Sequence, residues 1–492
     1  MLIMHKSVDY YLCLLFVVLP IRAIVYLSPV MLAALIANQM GLAGESILSS
    51  MVALPLIVYL CAECVFTLHY LHKKAKAGAL HPNPPTIQAV NANRPHHSVG
   101  SAMEFFDKMM THIDDVPRFV EGHFYGVSYG LLSKLDVAKW SAFVFFTKTY
   151  DDTSAAERGE IDAIVAKLHA IAPLQCSVHT QRPSFPFLQP NLDPFEATAR
   201  PLALYMATIG ANYVVSFWLR WHGFQHHHVT GAVGYWHRPP SSLDHSTDLP
   251  PLAFVHGVGI GLPTYIPLLH TMFGGTTNRH VFLLDLPFIA MQLRDDSVPD
   301  KAHVLDAIAD MLTEQNVTAP VHWVGHSFGT IVMSWVCQER PHLVHYLTFV
   351  DPVVFACWQH HGIYNLMYKA PSTGLNLLLW YFASQEIGIA CSMRRHLTWY
   401  ETVLFPDHLP RHPHTNHVVA SVFLSENDCI IDAPGAHAHL ERGVLQDATD
   451  ALSPRLPIHT TLWRGITHGE LILYASAHAD VMATVVPTKT VH

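Results

Sequence analysis

The sequence predicts an α/β protein with a mostly parallel sheet, preceded by helical segments and by an N-terminal pair of membrane-spanning helices. Two long apolar segments open the chain, and short β-type runs alternate with helical stretches from Gly234 onward. A Gly-x-Ser-x-Gly turn joins one of these runs to an apolar helix. Such alternation is typical of βαβ units, in which helices cover both faces of a parallel sheet.

The composition indicates a folded chain and excludes one class of partner. Of the 492 residues, 50% are hydrophobic and 14% are charged. The charged fraction is well below the quarter that is usual in soluble globular domains. The 29 Lys and Arg against 38 Asp and Glu give a net charge of −9, and no long basic run is present. We therefore expect no nucleic-acid partner, because nucleic-acid binders concentrate positive charge.

Neither the cysteines nor the histidines form a convincing metal-binding pattern. The eight cysteines are scattered, which favours a reducing compartment over a disulfide framework. The pair Cys61 and Cys64 has no second pair to complete a zinc site. The 37 histidines cluster most tightly between His408 and His417, in a loop that prolines interrupt. We expect no metal and no cofactor.

Residues 1–71 are predicted to contain two transmembrane helices. Residues 10–39 and 47–69 are almost wholly apolar, and each exceeds the ~20 residues that cross a bilayer core. The first segment is too long for the apolar part of a signal peptide and lacks a small-residue cleavage site. Lysines precede the first segment and follow the second, so the positive-inside rule places both ends and the following domain in the cytosol.

A linker and a helical region are predicted between the membrane segments and the sheet. Residues 72–100 are rich in Pro, Asn and Ala, which indicates a linker. Residues 101–232 are predicted to form helices that pack on the next domain, and one of them opens with the capping box Ser154-x-x-Glu157. Within this region, residues 201–219 lack charge and are either a third span or, as their polar residues favour, a helix against the domain or the lipid surface.

Residues 233–492 are predicted to form the α/β domain. A long stretch without strand pattern, 353–417, is predicted to form a helical cap. Catalytic groups in such sheets gather in the loops at the carboxyl ends of the strands. The predicted strands are GYWHR, LAFVHG, HVFLLDL, VHWVGH, YLTFVDP, VVASVFL and IHTTLWR.

The most informative motif is Gly325-His326-Ser327-Phe328-Gly329. It follows the predicted strand VHWV and precedes an apolar helix. A turn this sharp holds its serine in a strained conformation, so the flanking positions must be small. The helix that begins there points its amides at a position where an oxyanion can develop.

A second glycine-rich loop lies upstream of this serine. The predicted strand LAFV ends in His256-Gly257-Val258-Gly259. Together the two motifs resemble those of the α/β-hydrolase fold family, and the resemblance extends over about 240 residues from Gly234. It implies that the backbone N–H groups of Val258 and Phe328 form an oxyanion hole.

The resemblance also implies a base and an acid, in the chain order Ser, Asp, His. Ser327 would be the nucleophile, His468 after the last predicted strand the base, and Asp428 after VVASVFL the acid. Other carboxylates left open for the acid are Glu426, Asp432 and Asp351. The remaining residues of the two motifs are expected to support these groups: His256, Gly257, Gly259, Gly325, His326 and Gly329.

The function implied is a membrane-anchored serine hydrolase that cleaves a lipophilic carboxylic ester or thioester. Its expected partners are a lipophilic small-molecule ester and the lipid bilayer. Acyl transfer would use the same residues, and a catalytically idle scaffold or receptor is the alternative from another class. In the cap, the apolar run 375–382 with Arg394 and Arg395 indicates either an acyl pocket with an anionic contact or the core of the cap itself.

Overall fold

A single sheet of eight strands lies at the centre of the fold, in the order β1-β2-β4-β3-β5-β6-β7-β8. The computed structural model describes residues 6–40, 50–82, 84–85, 87, 89, 101–175, 184–229, 233–241, 249–293, 297–445 and 455–486. The strands are Gln225–His228 (β1), Gly234–Arg238 (β2), Leu252–Val255 (β3), Val281–Asp285 (β4), Val321–His326 (β5), Val344–Val350 (β6), Ala420–Ser425 (β7) and His459–Trp463 (β8).

The sheet is mostly parallel, as predicted. Only β2 runs against its neighbours β1 and β4, and all other adjacent strands are parallel. All seven predicted strands are present. The sequence missed β1, because it assigned residues 225–228 to the helical region. The run QHHH lacks β-branched residues, and its pairing with β2 at the sheet edge defines it as a strand.

Helices cover both faces of the sheet and bury two apolar clusters. One face packs on Lys301–Glu314, Gly329–Glu339 and Ala433–Glu441, and the other packs on Leu202–Trp221, Ile266–Gly274 and Ala475–Val485. The central strands β3 and β5 are buried along their whole length. They are therefore continuous apolar runs rather than alternating ones.

The helical region forms a separate apolar core that packs mainly on the cap. Its helices are Ala102–Met110, Val116–His123, Lys134–Phe146 and Ala155–Ile171. The predicted capping box is confirmed, because the Ser154 side chain accepts the Glu157 N–H and the Glu157 side chain accepts the Ser154 N–H. Cap residues Trp358, Tyr400 and Phe405 complete this core.

Residues 353–417 contribute no strand to the described sheet and form short helices between β6 and β7. Three of these helices continue into π-helical turns: His360–Ile363 into Tyr364–Tyr368, Gly374–Leu379 into Trp380–Ser384, and Ile387–Cys391 into Ser392–His396. A fourth helix, Trp399–Thr402, follows. The cap is thus helical, as expected for this stretch.

Among the described residues, three helices are long and apolar enough to cross a membrane: Val8–Gln39 (α1), Ser50–Ala79 (α2) and Leu202–Trp221 (α7). Helix α2 is longer than predicted, so residues 72–79 are helical rather than linker. Packing explains this difference, because Ala77 lies against Phe195 and Lys74 Nζ donates to the Ala197 carbonyl at 2.7 Å.

Helix α7 packs one face on the sheet domain. Thr208 Oγ1 donates to the Met291 carbonyl at 2.9 Å, and Val215 and Leu219 are buried in the core. At its amino end, the Leu202 N–H donates to both carboxylate oxygens of Glu63 in α2. Its opposite face exposes the large apolar residues Met206, Tyr213, Val214, Phe217 and Trp221.

The membrane helices also contact the cap. The Gly374 N–H donates to Asp9 Oδ2 at 2.6 Å, and Tyr10 of α1 packs with Leu377 and Tyr381 of the cap. At the carboxyl end of α2, Arg395 Nε donates to the Ala77 carbonyl at 3.2 Å. The amino end of α1 and the carboxyl end of α2 therefore lie on the same side, against the cap.

Candidate active site

Ser327 lies on a strained turn between β5 and the helix that begins at Gly329. Its φ of +52° is in the left-handed region that non-glycine residues rarely adopt. A Cβ on Gly325 would lie 2.3 Å from Met333 Sδ, and one on Gly329 would lie 2.1 Å from the Val255 carbonyl oxygen. These close approaches explain why the motif requires glycine on both sides of the serine.

The structure brings Ser327, His468 and Asp428 into one hydrogen-bonded chain. His468 Nε2 lies 2.9 Å from Ser327 Oγ, and His468 Nδ1 lies 2.6 Å from Asp428 Oδ2. The other carboxylate oxygen of Asp428 accepts the N–H groups of Ile430 at 2.7 Å and Ile431 at 3.0 Å. The carboxylate is therefore fixed in position and oriented toward the imidazole.

These groups occupy the carboxyl ends of three strands. Ser327 follows β5, Asp428 follows β7 and His468 follows β8, in a sheet whose only reversed strand is β2. A serine on a strained strand-to-helix turn at this edge of such a sheet is the defining feature of one architecture. The chain has the α/β-hydrolase fold.

Comparisons with known proteins give matches among solved structures alone. No family model and no curated protein matches the chain. Among solved structures, a membrane phospholipase A described as a bacterial virulence factor is 14% identical over 58% of this chain and 94% of its own, with a TM-score of 0.37. Naproxen esterase from Bacillus subtilis is 14% identical over 56% of this chain and 96% of its own (TM-score 0.39). Carboxylesterase CesB from Bacillus subtilis is 13% identical over 58% and 100% (TM-score 0.36).

The environment of His468 favours its protonated form. Burial alone would lower its pKa, but the charge of Asp428, the hydrogen bond to that carboxylate and the charge of Asp351 together raise the pKa to about 9. Asp428 thus stabilises a positive imidazole, which is the state a general base reaches after it accepts a proton.

The alternative carboxylates make other contacts. Glu426 forms an ion pair with Arg464 and accepts the Gly465 N–H at 3.0 Å. Asp432 caps the helix Ala433–Glu441 by accepting the Gly435 N–H at 3.1 Å. Neither carboxylate is hydrogen-bonded to His468.

Asp351 lies behind His468 and joins several loops of the α/β-hydrolase domain. It is fully buried; its Oδ1 accepts the Ser425 N–H at 2.8 Å and its Oδ2 accepts the Gly469 N–H at 2.9 Å. His326 Nε2 lies 3.7 Å from Oδ2. Burial opposes ionisation of Asp351, but the imidazoles of His326 and His468 and the Gly469 N–H keep its pKa below the ordinary value.

A metal at this point would compete with the hydrogen bonds already present. Ligand atoms of Asp351, Asp428 and His468 lie within 4.8 Å of one another. Their oxygens accept backbone N–H groups or bind the imidazole, so an ion would have to displace these bonds. The described cysteines, which are all except Cys176, are free thiols.

Tyr265 connects the serine turn to the glycine-rich loop upstream. Its hydroxyl accepts the Gly257 N–H at 2.8 Å and donates to His326 Nδ1 at 2.7 Å. His326 therefore carries its proton on Nε2, the nitrogen that faces Asp351. No sequence signal identified Tyr265. Its hydroxyl reaches Gly257, eight residues earlier, only because the chain between them folds back as a tight loop.

His256 fixes the same glycine-rich loop to β4. The Leu286 N–H donates to His256 Nε2 at 3.0 Å, so the proton is on Nδ1, which donates to the Gly257 carbonyl at 2.8 Å. Burial lowers the pKa of His256 and keeps it neutral. A Cβ on Gly257 would lie 2.8 Å from Ser327 Cβ, so only glycine allows this approach.

The predicted oxyanion groups lie beside the serine. Val258 and Phe328 both line the cavity that Ser327 faces, and their N–H groups donate to no acceptor among the described residues. The Gly259 N–H, by contrast, donates to the Ile289 carbonyl at 3.2 Å, and the Gly257 N–H is used by Tyr265.

A cavity of about 710 Å³ opens from Ser327. Its wall is mostly apolar, and the polar residues in it include Arg118, His360 and Arg442. The helical region contributes part of this wall, which the sequence analysis assigned only to packing. The apolar residues of the wall include Val258, Phe328, Ile331, Val353, Phe355, Leu366, Met367, Met393, Leu397, Ile430 and Ile431.

The arginines of the cap do not form an anionic contact in this cavity. Arg394 donates to the Met367 carbonyl, and Arg395 donates to the carbonyls of Asn191 and Asp193. The apolar run 375–382 packs on α1 instead. Both features belong to the structure of the cap rather than to a substrate pocket.

Tyr265→Phe should slow the labelling of Ser327 by a fluorophosphonate probe by about 10-fold. The substitution leaves the Gly257 N–H and His326 Nδ1 without a partner in a buried site, which costs about 1–3 kcal/mol. The measurement is the second-order labelling rate. Tyr235→Phe, which removes a buried hydroxyl bound to Glu314 far from the serine, is the matched control. Equal labelling rates in the two variants would contradict the positioning role of Tyr265.

Proposed function

We propose that this protein is a membrane-anchored serine hydrolase that cleaves a lipophilic carboxylic ester or thioester. The observation that supports the proposal best is the hydrogen-bonded chain from Ser327 through His468 to Asp428, which opens on a largely apolar cavity. The base is within hydrogen-bond distance of both the nucleophile and the orienting carboxylate, as nucleophilic catalysis requires.

In the proposed reaction, Ser327 Oγ attacks the acyl carbonyl while His468 Nε2 accepts the hydroxyl proton. The N–H groups of Val258 and Phe328 stabilise the oxyanion of the tetrahedral intermediate. The imidazolium then donates its proton to the leaving alkoxide or thiolate, and the acyl-enzyme forms. Water then attacks the acyl-enzyme while His468 accepts its proton, and the imidazolium returns that proton to Ser327 Oγ as the carboxylic acid leaves.

The substrate class follows from the cavity and from the membrane helices. Apolar side chains surround the serine, and each methylene that they bury contributes up to about 0.8 kcal/mol. The cap that forms part of this cavity contacts both α1 and α2. A medium- or long-chain acyl ester that partitions into the bilayer satisfies both features.

We propose that α1 and α2 cross the membrane and that the hydrolase domain is cytosolic. Both ends of this helical pair lie against the cap, as an even number of spans requires. Lys73, Lys74 and Lys76 follow the second span. Helix α7 packs one face on the domain and would rest its exposed apolar face on the lipid surface.

Ser327→Ala should abolish fluorophosphonate labelling and lower ester hydrolysis by at least about 10³-fold, because the nucleophile is lost. Hydrolysis and labelling are measured on the purified full-length protein, with folding checked by its thermal transition. Unlabelled wild-type protein would favour the idle scaffold. Labelling with acyl transfer but no hydrolysis would favour an acyltransferase.

Asp428→Asn should lower kcat by about 10⁴-fold, because the amide no longer orients the correct imidazole tautomer. Since the base must be neutral and its pKa is raised, wild-type kcat/KM should rise with pH through a midpoint above 6.5. Asp428→Asn should move this midpoint to lower pH. Asp351→Asn should lower kcat far less, and a larger loss there would make Asp351 the acid.

Hydrolysis of p-nitrophenyl esters should become more efficient from acetate to laurate, because longer chains bury more apolar surface in the cavity. Leu366→Trp, which fills part of the cavity, should reverse this order by lowering kcat/KM for laurate about 10-fold. Leu375→Trp, at an exposed position of the same cap, is the control. A steady fall from acetate to laurate in the wild type would contradict a lipophilic substrate.

The exposed sequon at Asn316 should remain unglycosylated in eukaryotic cells, because a cytosolic domain never meets the glycosylation machinery. A glycosylatable insert between residues 40 and 50 should be modified, since that loop would face the lumen. The readout is a glycosidase-sensitive mass shift. A shift that disappears in Asn316→Gln would place the domain in the lumen and make α7 a third span.

A further inference from the structure

A second cavity, of about 590 Å³, lies at the amino ends of the strands, opposite the active site. It is bounded by the first residues of β5, β6, β7 and β8 and by the helix Ala475–Val485. Its lining includes Arg279, His322, His345 and His459. One arginine and three histidines from four separate segments therefore line the same cavity.

Arg279 is buried without a charged partner. The side chain is 2% exposed; its Nη1 donates to the Pro250 carbonyl at 3.3 Å and its Nη2 to the Val485 carbonyl at 2.5 Å. These bonds cap the helix Ala475–Val485, but Nε donates to no acceptor and no carboxylate pairs with the guanidinium among the residues that the structure describes. Buried charges are normally paired, because an isolated one is costly.

The rest of the cavity wall adds polar groups beside the single charge of Arg279. His322 Nε2 lies 2.8 Å from Thr348 Oγ1, and burial together with the charge of Arg279 lowers the pKa of His322 to about 3. Tyr346 and Ser421 place hydroxyl groups in the same wall. The acidic residue in the lining is Asp480, whose carboxylate accepts the Trp463 Nε1–H at 2.8 Å.

We propose that this cavity binds the phosphate group of a small organic molecule. Guanidinium, imidazole and hydroxyl donors approach from several directions, which suits a tetrahedral anion with many acceptor oxygens better than a planar carboxylate. Arg279 offers one free donor, Nε, to such a group. The cavity is much larger than inorganic phosphate, so the remainder of the ligand occupies the space beside Tyr346 and Phe423.

This site is separate from the proposed hydrolase chemistry. Strand β5 runs from His322 in the cavity to His326 beside Ser327, a path of about 13 Å at 3.3 Å per residue. A ligand in the cavity therefore contacts neither the nucleophile nor the base. Binding there does not depend on whether Ser327 reacts.

The test is calorimetric titration of the full-length protein in detergent with glycerol 3-phosphate, at constant ionic strength. We expect saturable 1:1 binding that weakens at least 10-fold in Arg279→Gln and in Thr461→Trp, which fills the cavity. Arg238→Gln, at a partly buried arginine that binds Thr276 outside the cavity, should retain the affinity. Ser327→Ala should also retain it, which separates this result from the fate of the hydrolase proposal.

Two further arms define the ligand. Phosphatidate in vesicles reports whether the same phosphate chemistry comes from a lipid headgroup, and loss of that binding in Thr461→Trp would equally support the site. Citrate that binds as tightly as glycerol 3-phosphate would overturn the preference for phosphate. Absence of saturable binding by either phosphate form, or binding that Thr461→Trp retains, would overturn the proposal even if Arg279→Gln does not fold.

Discussion

The geometry of the candidate active site depends on the buried carboxylate of Asp351. One of its oxygens accepts the N–H of Ser425, at the end of β7 and just before the loop that carries Asp428. The other accepts the N–H of Gly469, the residue after His468. Its third neighbour is His326, which adjoins Ser327. Asp351 therefore connects the segments that follow β5, β7 and β8. The desolvation cost of the carboxylate is offset by these contacts, which fix the distance from imidazole to serine.

His326 and Tyr265 extend this network to the other side of the serine. The hydroxyl of Tyr265 accepts the Gly257 N–H. The neighbouring N–H of Val258 donates to no acceptor among the described residues and is available to a substrate. A continuous path of polar contacts therefore runs from the glycine-rich loop to the histidine loop beneath the reacting atoms. Packing around this path is dense, as shown by the close approach of Gly257 to Ser327.

Local patterns were sufficient to predict most of the sheet, and the resemblance to the α/β-hydrolase family implied the candidate triad. Continuous apolar runs marked the buried strands, and the small residues beside Ser327 marked the turn. The sequence favoured Asp428 over Asp351 only through the resemblance of its loop to the family pattern, because both carboxylates follow strands that end at the same edge. Strand β1, the position of Tyr265 and the wall contributed by the helical region escaped prediction, because each depends on partners distant in the chain.

Because the two N-terminal apolar helices contact the cap, we expect extraction of the protein from a membrane to affect the cap as well. Tyr10 and Val18 cover Leu377 and Tyr381, and Asp9 binds the amino end of the same cap helix. A surfactant tail that intrudes between these apolar surfaces competes with α1 for the cap. Because other residues of the cap line the cavity next to Ser327, we expect displacement of α1 to act on the wall of that cavity without touching a reacting atom. We therefore expect the conformation of the cap to depend on the surfactant in which the protein is dissolved.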